Sequence, residues 1–171
     1  GLNDRFVHDS IETFNPSSGV WSKKKNMSIR RCGHVSFVHN NELYVCGGMP
    51  AFGYDRLATM EKYNPGSDTW SPKASMMKAL ITHKAVKSGT KVYISGGASH
   101  ESWYIKDTYI YDCILDTWTS GSNLNQARAD HIMSIVDGKI HVMGGYCDNG
   151  VAYNVEFMDS TSGIWSVIPD L

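Results

Sequence analysis

Three times in 171 residues a short apolar run ends on two consecutive glycines: Glu42 to Gly48, Lys91 to Gly97 and Lys139 to Gly145, spaced 49 and 48 residues apart. A fixed period of this length constrains the fold more than any composition does. It demands an array of similar supersecondary units rather than one irregular core. Other residues keep the same step. Trp21, Trp70, Trp118 and Trp165 are separated by 49, 48 and 47 residues. Phe14, Tyr63, Tyr111 and Met158 each precede their tryptophan by seven, and His34, His83 and His131 each stand ten before Tyr44, Tyr93 or His141.

Between these markers the sequence alternates short β-prone runs with turn residues. Asn15-Pro16-Ser17-Ser18-Gly19 and Asn64-Pro65-Gly66-Ser67-Asp68 lie between aromatic-bearing runs. Proline presets φ, glycine permits positive φ, and asparagine and serine satisfy local backbone groups, so both stretches read as hairpin turns. Asn40-Asn41, Ser88-Gly89-Thr90 and Asp137-Gly138 mark the tighter hairpins. Each full unit thus holds four short antiparallel strands. The first begins at His34, His83 or His131, and the second carries the glycine pair. A long loop (Met49 to Arg56, Ala98 to Lys106, Tyr146 to Ala152) leads to the third and fourth. Close-set apolar residues in the first strands (Val35, Phe37 and Val38; Ile132, Met133, Ile135 and Val136) predict sheets covered on both faces.

The glycine pair, the aromatic 13 to 15 residues later and the tryptophan seven beyond resemble the Kelch repeat over residues 8 to 168, with Met158 and His141 departing from its pattern. The resemblance implies an all-β, Kelch-type β-propeller, in which each repeat is one blade with strands A to D from the channel outward. Here it would be partial. Residues 1–25 supply a C–D half blade, and 26–73, 74–121 and 122–171 supply three blades. Closed propellers of this type have more blades, so the expectation is a segment of a longer chain. The glycines Gly47, Gly48, Gly96, Gly97, Gly144 and Gly145 and the aromatics Trp21, Trp70, Trp118, Trp165, Tyr63 and Tyr111 are then structural, filling the contact between blades.

Composition narrows the function classes. With 16 Lys and Arg against 17 Asp and Glu, the chain has no general attraction for nucleic acid or anionic membrane. No apolar run approaches the ~20 residues that span a bilayer. The cysteines at 32, 46, 113 and 147 form no C-x-x-C pair. They read as free thiols of a cytoplasmic protein and not as a zinc site. The glycine pairs lack the Lys-Ser/Thr of a phosphate-binding loop. The aligned histidines raise the question of zinc or copper. Their recurrence in every unit favours a structural role, such as a hydrogen bond opening strand A. Neither metal nor cofactor is expected, and no nucleophile or paired-carboxylate pattern indicates catalysis.

What remains is a loop face. In a blade, the B–C loops and the D–A loops emerge on one side. The first class carries Phe52, Tyr54, Trp103, Tyr104 and Tyr146, and the second carries Arg30, Arg31, Lys78 and Arg128. Aromatic and arginine side chains on loops held by a rigid scaffold suit protein binding, although Arg30 and Arg31 fit a solvated surface equally well. Counting Arg56 with those cations against Asp55, Glu101, Asp130 and Asp148, the face is mildly basic and favours an acidic or phosphorylated peptide. The resemblance implies a non-catalytic interaction module, commonly the substrate-recognition part of a cullin-RING ubiquitin ligase adaptor joined through an upstream BTB domain. Its alternatives are an actin-associated or scaffold protein and, in a different class, a propeller oxidase or epimerase.

Overall fold

Two-residue turns set the register of the sheets. Asn40 and Asn41 (φ 49° and 60°) and Asp137 and Gly138 (φ 48° and 74°) are left-handed, as tight hairpins require. In the computed structural model, which describes residues 7–51, 53, 55–159 and 161–168, these turns join the first two strands of a blade. The half blade is β1 (Glu12–Asn15) and β2 (Val20–Lys23). Blade 1 is β3 (Val35–His39), β4 (Glu42–Cys46), β5 (Met60–Asn64) and β6 (Thr69–Lys73). Blade 2 is β7 (Lys84–Ser88), β8 (Lys91–Ser95), β9 (Thr108–Asp112) and β10 (Thr117–Ser120). Blade 3 is β11 (Ile132–Val136), β12 (Lys139–Met143), β15 (Val155–Met158) and β16 (Trp165–Ile168).

Each blade is an antiparallel meander in chain order, and the innermost strands β3, β7 and β11 lie side by side. Among the described residues there is no helix. The strand expected at each repeated histidine starts one residue later. The residue before the histidine (Gly33, Thr82 or Asp130) is left-handed, which keeps the chain out of the ladder until the histidine has passed. The loop after Gly145 holds a feature without sequence warning, a small hairpin of β13 (Tyr146–Cys147) and β14 (Gly150–Val151). Two-residue strands are too short to show a period of two.

Blade-to-blade packing makes the core. Phe37, Tyr44, Cys46 and Met60 of blade 1 close on Val92, Ile94, Tyr109 and Tyr111 of blade 2. Tyr93 of blade 2, with half-buried Val86 and Ile110, closes on Ile140, Val142, Met158 and Trp165 of blade 3. The second strands β4 and β8 bury consecutive residues on both faces, whereas β12 alternates buried with half-buried positions, and the first strands, against expectation, are not covered on both faces. Val38 is 57% and Ile132 62% exposed, because β3 and β11 each have a neighbouring first strand on one side only among the described residues. For the same reason the half blade keeps Trp21 64% exposed, against its expected place in the core.

The glycine pair is where blades touch most closely. A Cβ on Gly47 would lie 2.5 Å from the His83 ring, and one on Gly96 2.7 Å from the His131 ring and 2.5 Å from the Arg128 carbonyl. The second glycine of the first two pairs donates to the next blade, Gly48 N to Leu80 O (2.8 Å) and Gly97 N to Arg128 O (2.8 Å). The histidines therefore serve as packing keys seated on the preceding blade's glycine. Among the described residues His83 has no hydrogen-bond partner on either ring nitrogen, and His131 has one distant contact, Ser95 Oγ at 3.4 Å. Burial, reinforced by Lys84 and other positive neighbours, pulls both rings down to about 3.

A second clasp joins the outer strands. Tyr63 donates to Asp68 (2.7 Å), whose carboxylate accepts Lys25 N (2.9 Å), while Trp70 Nε1 donates to Lys25 O (2.7 Å). Tyr111, Asp116 and Trp118 hold Ala74 in the same way, at 2.7, 3.0 and 2.8 Å. The backbone N–H and C=O of one residue in the preceding link are thus both satisfied by the following blade. Blade 3 lacks the device: Met158 and Gly163 replace the tyrosine and aspartate, and Trp165 Nε1 is buried without a partner among the described residues.

Two outcomes follow for stability. Asp116→Ala is expected to cost about 1–2 kcal/mol in urea unfolding, at the low end for a charged acceptor because the carboxylate is partly solvated. Grafting the clasp with Met158→Tyr and Gly163→Asp should raise the melting temperature by about 2–4 °C per kcal/mol gained, since Gly163 already has the left-handed φ (66°) of Asp68 and Asp116. The histidines give a pH dependence. Their folded values lie below the ordinary 6.5, so the unfolded chain takes up protons first as pH falls. Stability is complete above 6.5 and declines toward pH 3, by about 1.4 kcal/mol per histidine for each pH unit within that window. Urea titrations across this range should show that slope, and His83→Gln should flatten it.

Candidate protein-interaction face

The loop face is built by the segments that the glycine pairs release. After Gly48 the chain runs to Arg56, after Gly97 to Lys106, and after Gly145 through β13 and β14. Between the blades the lead-in loops are tied to one another. Thr82 N donates to Gly33 O (2.9 Å) and Asp130 N to Thr82 O (3.1 Å), a hydrogen-bonded chain passing from blade to blade. Its members are all left-handed, and Thr82 (φ 55°) carries a β-branched side chain in that strained state. The loops thus stand on a fixed base.

The structure separates the residues expected on this face. Arg30 is exposed, Trp103 is 72% exposed, Tyr146 is exposed on β13, and Tyr104 is half-buried. Phe52 and Tyr54 lie outside the described residues. Arg31 and Arg128 do not belong to the surface. Arg31 is buried, with its guanidinium on Glu61 (3.0 Å), Gly47 O (2.9 Å) and Thr59 O (3.1 Å). Arg128 is 0% exposed and bonds Glu156 (2.9 Å), Gly144 O (3.0 Å) and Asn154. Each arginine ties its blade's first glycine to the loop leading into the third strand, and the paired carboxylate offsets the charge that burial would otherwise leave stranded. Lys78 is half-buried and held by Asp107 (3.0 Å), with Glu101 at 3.5 Å.

Blade 2 solves the same packing problem without ions. Leu80 stands where blades 1 and 3 have arginine, and Tyr109 where they have glutamate, and both are buried. The Tyr109 hydroxyl reaches Asp107 (3.0 Å). An ion pair and an apolar pair are alternative fillings of one site.

Two side chains gain importance that their sequence context did not give them. Arg56, read only as charge, lays its guanidinium over the Trp103 ring, 5.5 Å from its centroid, joining the B–C loops of blades 1 and 2. Tyr153 is 86% exposed just beyond β14. It falls one residue past the loop boundary drawn from spacing. Pocket walls at this junction come from Arg56, Ser99, His100, Glu101, Ser102 and Trp103, enclosing about 240 Å³. Among the described residues no group of three or more His, Cys, Asp or Glu side chains is placed to hold a metal. All four cysteines are free thiols, and burial raises Cys46 to about 12.

Comparison with known proteins agrees with this architecture. The family model described as the Kelch motif matches residues 30–77, which contain blade 1. Kelch-like protein 15 of Danio rerio is 26% identical over 133 residues, 78% of this chain and 15% of the relative. Kelch-like protein 24 of Homo sapiens is 37% identical over 57 residues, 33% of this chain and 10% of the relative. An F-box/kelch-repeat protein of Arabidopsis thaliana is 34% identical over 61 residues, 36% of this chain and 16% of the relative. The chain therefore spans about one sixth or less of the length of these relatives. Among solved structures, YjhT superimposes with a TM-score of 0.79 over 95% of this chain and 65% of that one, at 13% identity. Identity that low makes it a likeness of fold alone.

The buried pairs yield a direct test. Arg128→Leu strands Glu156 and is expected to cost about 3–5 kcal/mol in urea unfolding. Adding Glu156→Tyr copies the blade 2 pair and should recover most of that loss.

Proposed function

We propose that this chain is a non-catalytic protein-interaction module whose B–C and D–A loop face captures a partner segment, a reading supported by its similarity to the Kelch motif and to Kelch-like proteins. The observation that carries this reading is the contrast between the scaffold and its loops. Arg31, Arg128 and the outer-strand aromatics of blades 1 and 2 are spent on contacts within and between blades. Tyr146, Tyr153 and Arg30 project exposed from rigidly based loops, and Trp103 meets Arg56 yet stays 72% exposed. Exposed aromatic and arginine side chains are the residue types on which protein interfaces concentrate their binding energy.

The finer proposal is a substrate-recognition role in a cullin-RING ubiquitin ligase adaptor in the cytoplasm. The cullin contact would come from a part of the protein other than these repeats. The name of the Arabidopsis relative sets an F-box beside kelch repeats, which supports such a pairing of the repeat with a second module. Free thiols are compatible with a reducing compartment.

Affinity purification of the intact native protein, with Arg30, Trp103 and Tyr146 present and then replaced together by alanine, tests both levels. The expected result is a cullin scaffold recovered with either form, and a further protein recovered only when the three side chains are present. Cytoskeletal proteins alone would replace the ligase reading with a scaffold one. Recovery of no partner by the unaltered protein would remove the interaction reading itself.

A further inference from the structure

From the Arg56–Trp103 junction we infer a seat for an oxyanion-bearing side chain of the bound peptide, an aspartate, glutamate or phosphorylated residue. This rests on the interaction reading above and names the chemistry of its partner. Arg56 differs from the other arginines of the blades. Arg31 and Arg128 are paired with Glu61 and Glu156, whereas no carboxylate among the described residues pairs with Arg56. Its Nε is buried and has no hydrogen-bond partner among them. The Trp103 ring holds the guanidinium from the next blade, with the guanidinium carbon 5.5 Å from the ring centroid, and the terminal N–H groups border the cleft without a hydrogen-bond partner among the described residues. Their planar fork matches the two oxygens of a carboxylate or phosphate.

The seat is built and held. Ser99, buried to 2% exposure, accepts from Glu101 N and Ser102 N (both 3.2 Å), and Ser99 N donates to Ser102 O (2.8 Å). Ser102 Oγ in turn donates to Tyr104 O (2.8 Å). This hydrogen-bonded turn fixes the approach of Trp103 to Arg56 from the next blade, so little ordering remains when a ligand arrives. The nearby carboxylates have other neighbours: Glu101 lies 3.5 Å from Lys78, and Asp55 lies 3.9 Å from His100. A cleft of about 240 Å³ suits one side chain with its flanking backbone and not a folded domain. The uncovered side of the Trp103 ring is open to an apolar residue beside the acid.

The test selects binders to the full chain from a random-peptide display library. The best peptide is then measured by fluorescence anisotropy with its acidic residue intact, changed to glutamine, and changed to phosphoserine. Enrichment of Asp or Glu is expected, and Arg56→Gln should weaken binding about tenfold or more. The glutamine peptide should lose nothing further against that variant, and Arg56→Lys, which keeps charge but not the planar fork, should fall between. Tighter binding of the phosphoserine form would identify phosphate as the preferred oxyanion, and weaker binding would identify carboxylate. Enriched peptides without an acid, or binding indifferent to Arg56→Gln in a variant that melts like the parent, would overturn this seat while leaving the interaction reading in place. Should the variant not fold, the glutamine peptide alone decides, since equal binding of the acid and amide forms overturns the seat. A library that yields no binder would overturn the interaction reading along with it.

Discussion

Successive blades can meet at close range only where the backbone carries no side chain. Gly47 and Gly96 leave room for the next blade's histidine, and the glycine that follows each donates its N–H to the next blade's carbonyl. The rest of the assembly depends on that approach. It sets the distance at which Phe37 and Tyr44 can pack against Tyr111, and at which the outer tryptophans can reach back to the preceding link. A side chain at either glycine would push the sheets apart along their whole length, because the blades behave as stiff plates. The glycine pair is therefore a contact-distance constraint first and a turn signal second.

Around that contact, the blades vary the chemistry and keep the volume. Arginine with glutamate fills the position in blades 1 and 3, and leucine with tyrosine fills it in blade 2. A buried ion pair recovers in mutual attraction little more than its desolvation costs, so an apolar pair of similar size can replace it. The outer clasp shows the same freedom. Blades 1 and 2 use a tyrosine, an aspartate and a tryptophan, while blade 3 keeps the tryptophan with its indole N–H unpaired among the described residues. Repeats tolerate such substitutions because each interface contributes its own share to the stability of the array.

This explains what could be read from the chain and what could not. The period, the four strands per unit, the hairpin turns and the structural role of the glycines, tryptophans and histidines were legible, because each recurs in register. Arg31 and Arg128 were misread as surface cations. Their carboxylate partners, Glu61 and Glu156, lie 30 and 28 residues away, and blade 2 breaks the pattern with Leu80 and Tyr109. No local signal distinguishes an arginine that pairs in the interior from one that meets water. The exposure of Trp21 and Val38 escaped for another reason: register shows that a position faces a neighbour, not that a neighbour covers it. The Arg56–Trp103 contact joins two loops that share no periodicity, so it becomes visible only once the blades place them together.

The division between scaffold and loops also bears on function. In a repeat array a side chain that recurs has its duty to the next repeat, and its chemistry is consumed there. His83 and His131 illustrate this, for imidazoles that could bind a metal or shuttle a proton are sealed against glycine and held neutral by burial. Recognition must then come from what does not recur. Trp103, Tyr146, Tyr153 and Arg56 meet that condition, each occurring once at its place in the repeat. Of these, Arg56 and Trp103 couple two blades through a cation–π contact, and the Arg56 Nε–H has no partner among the described residues. On the interaction reading, a propeller changes its partner by altering a few loop residues while the glycine–histidine contacts and outer clasps between blades stay as they are.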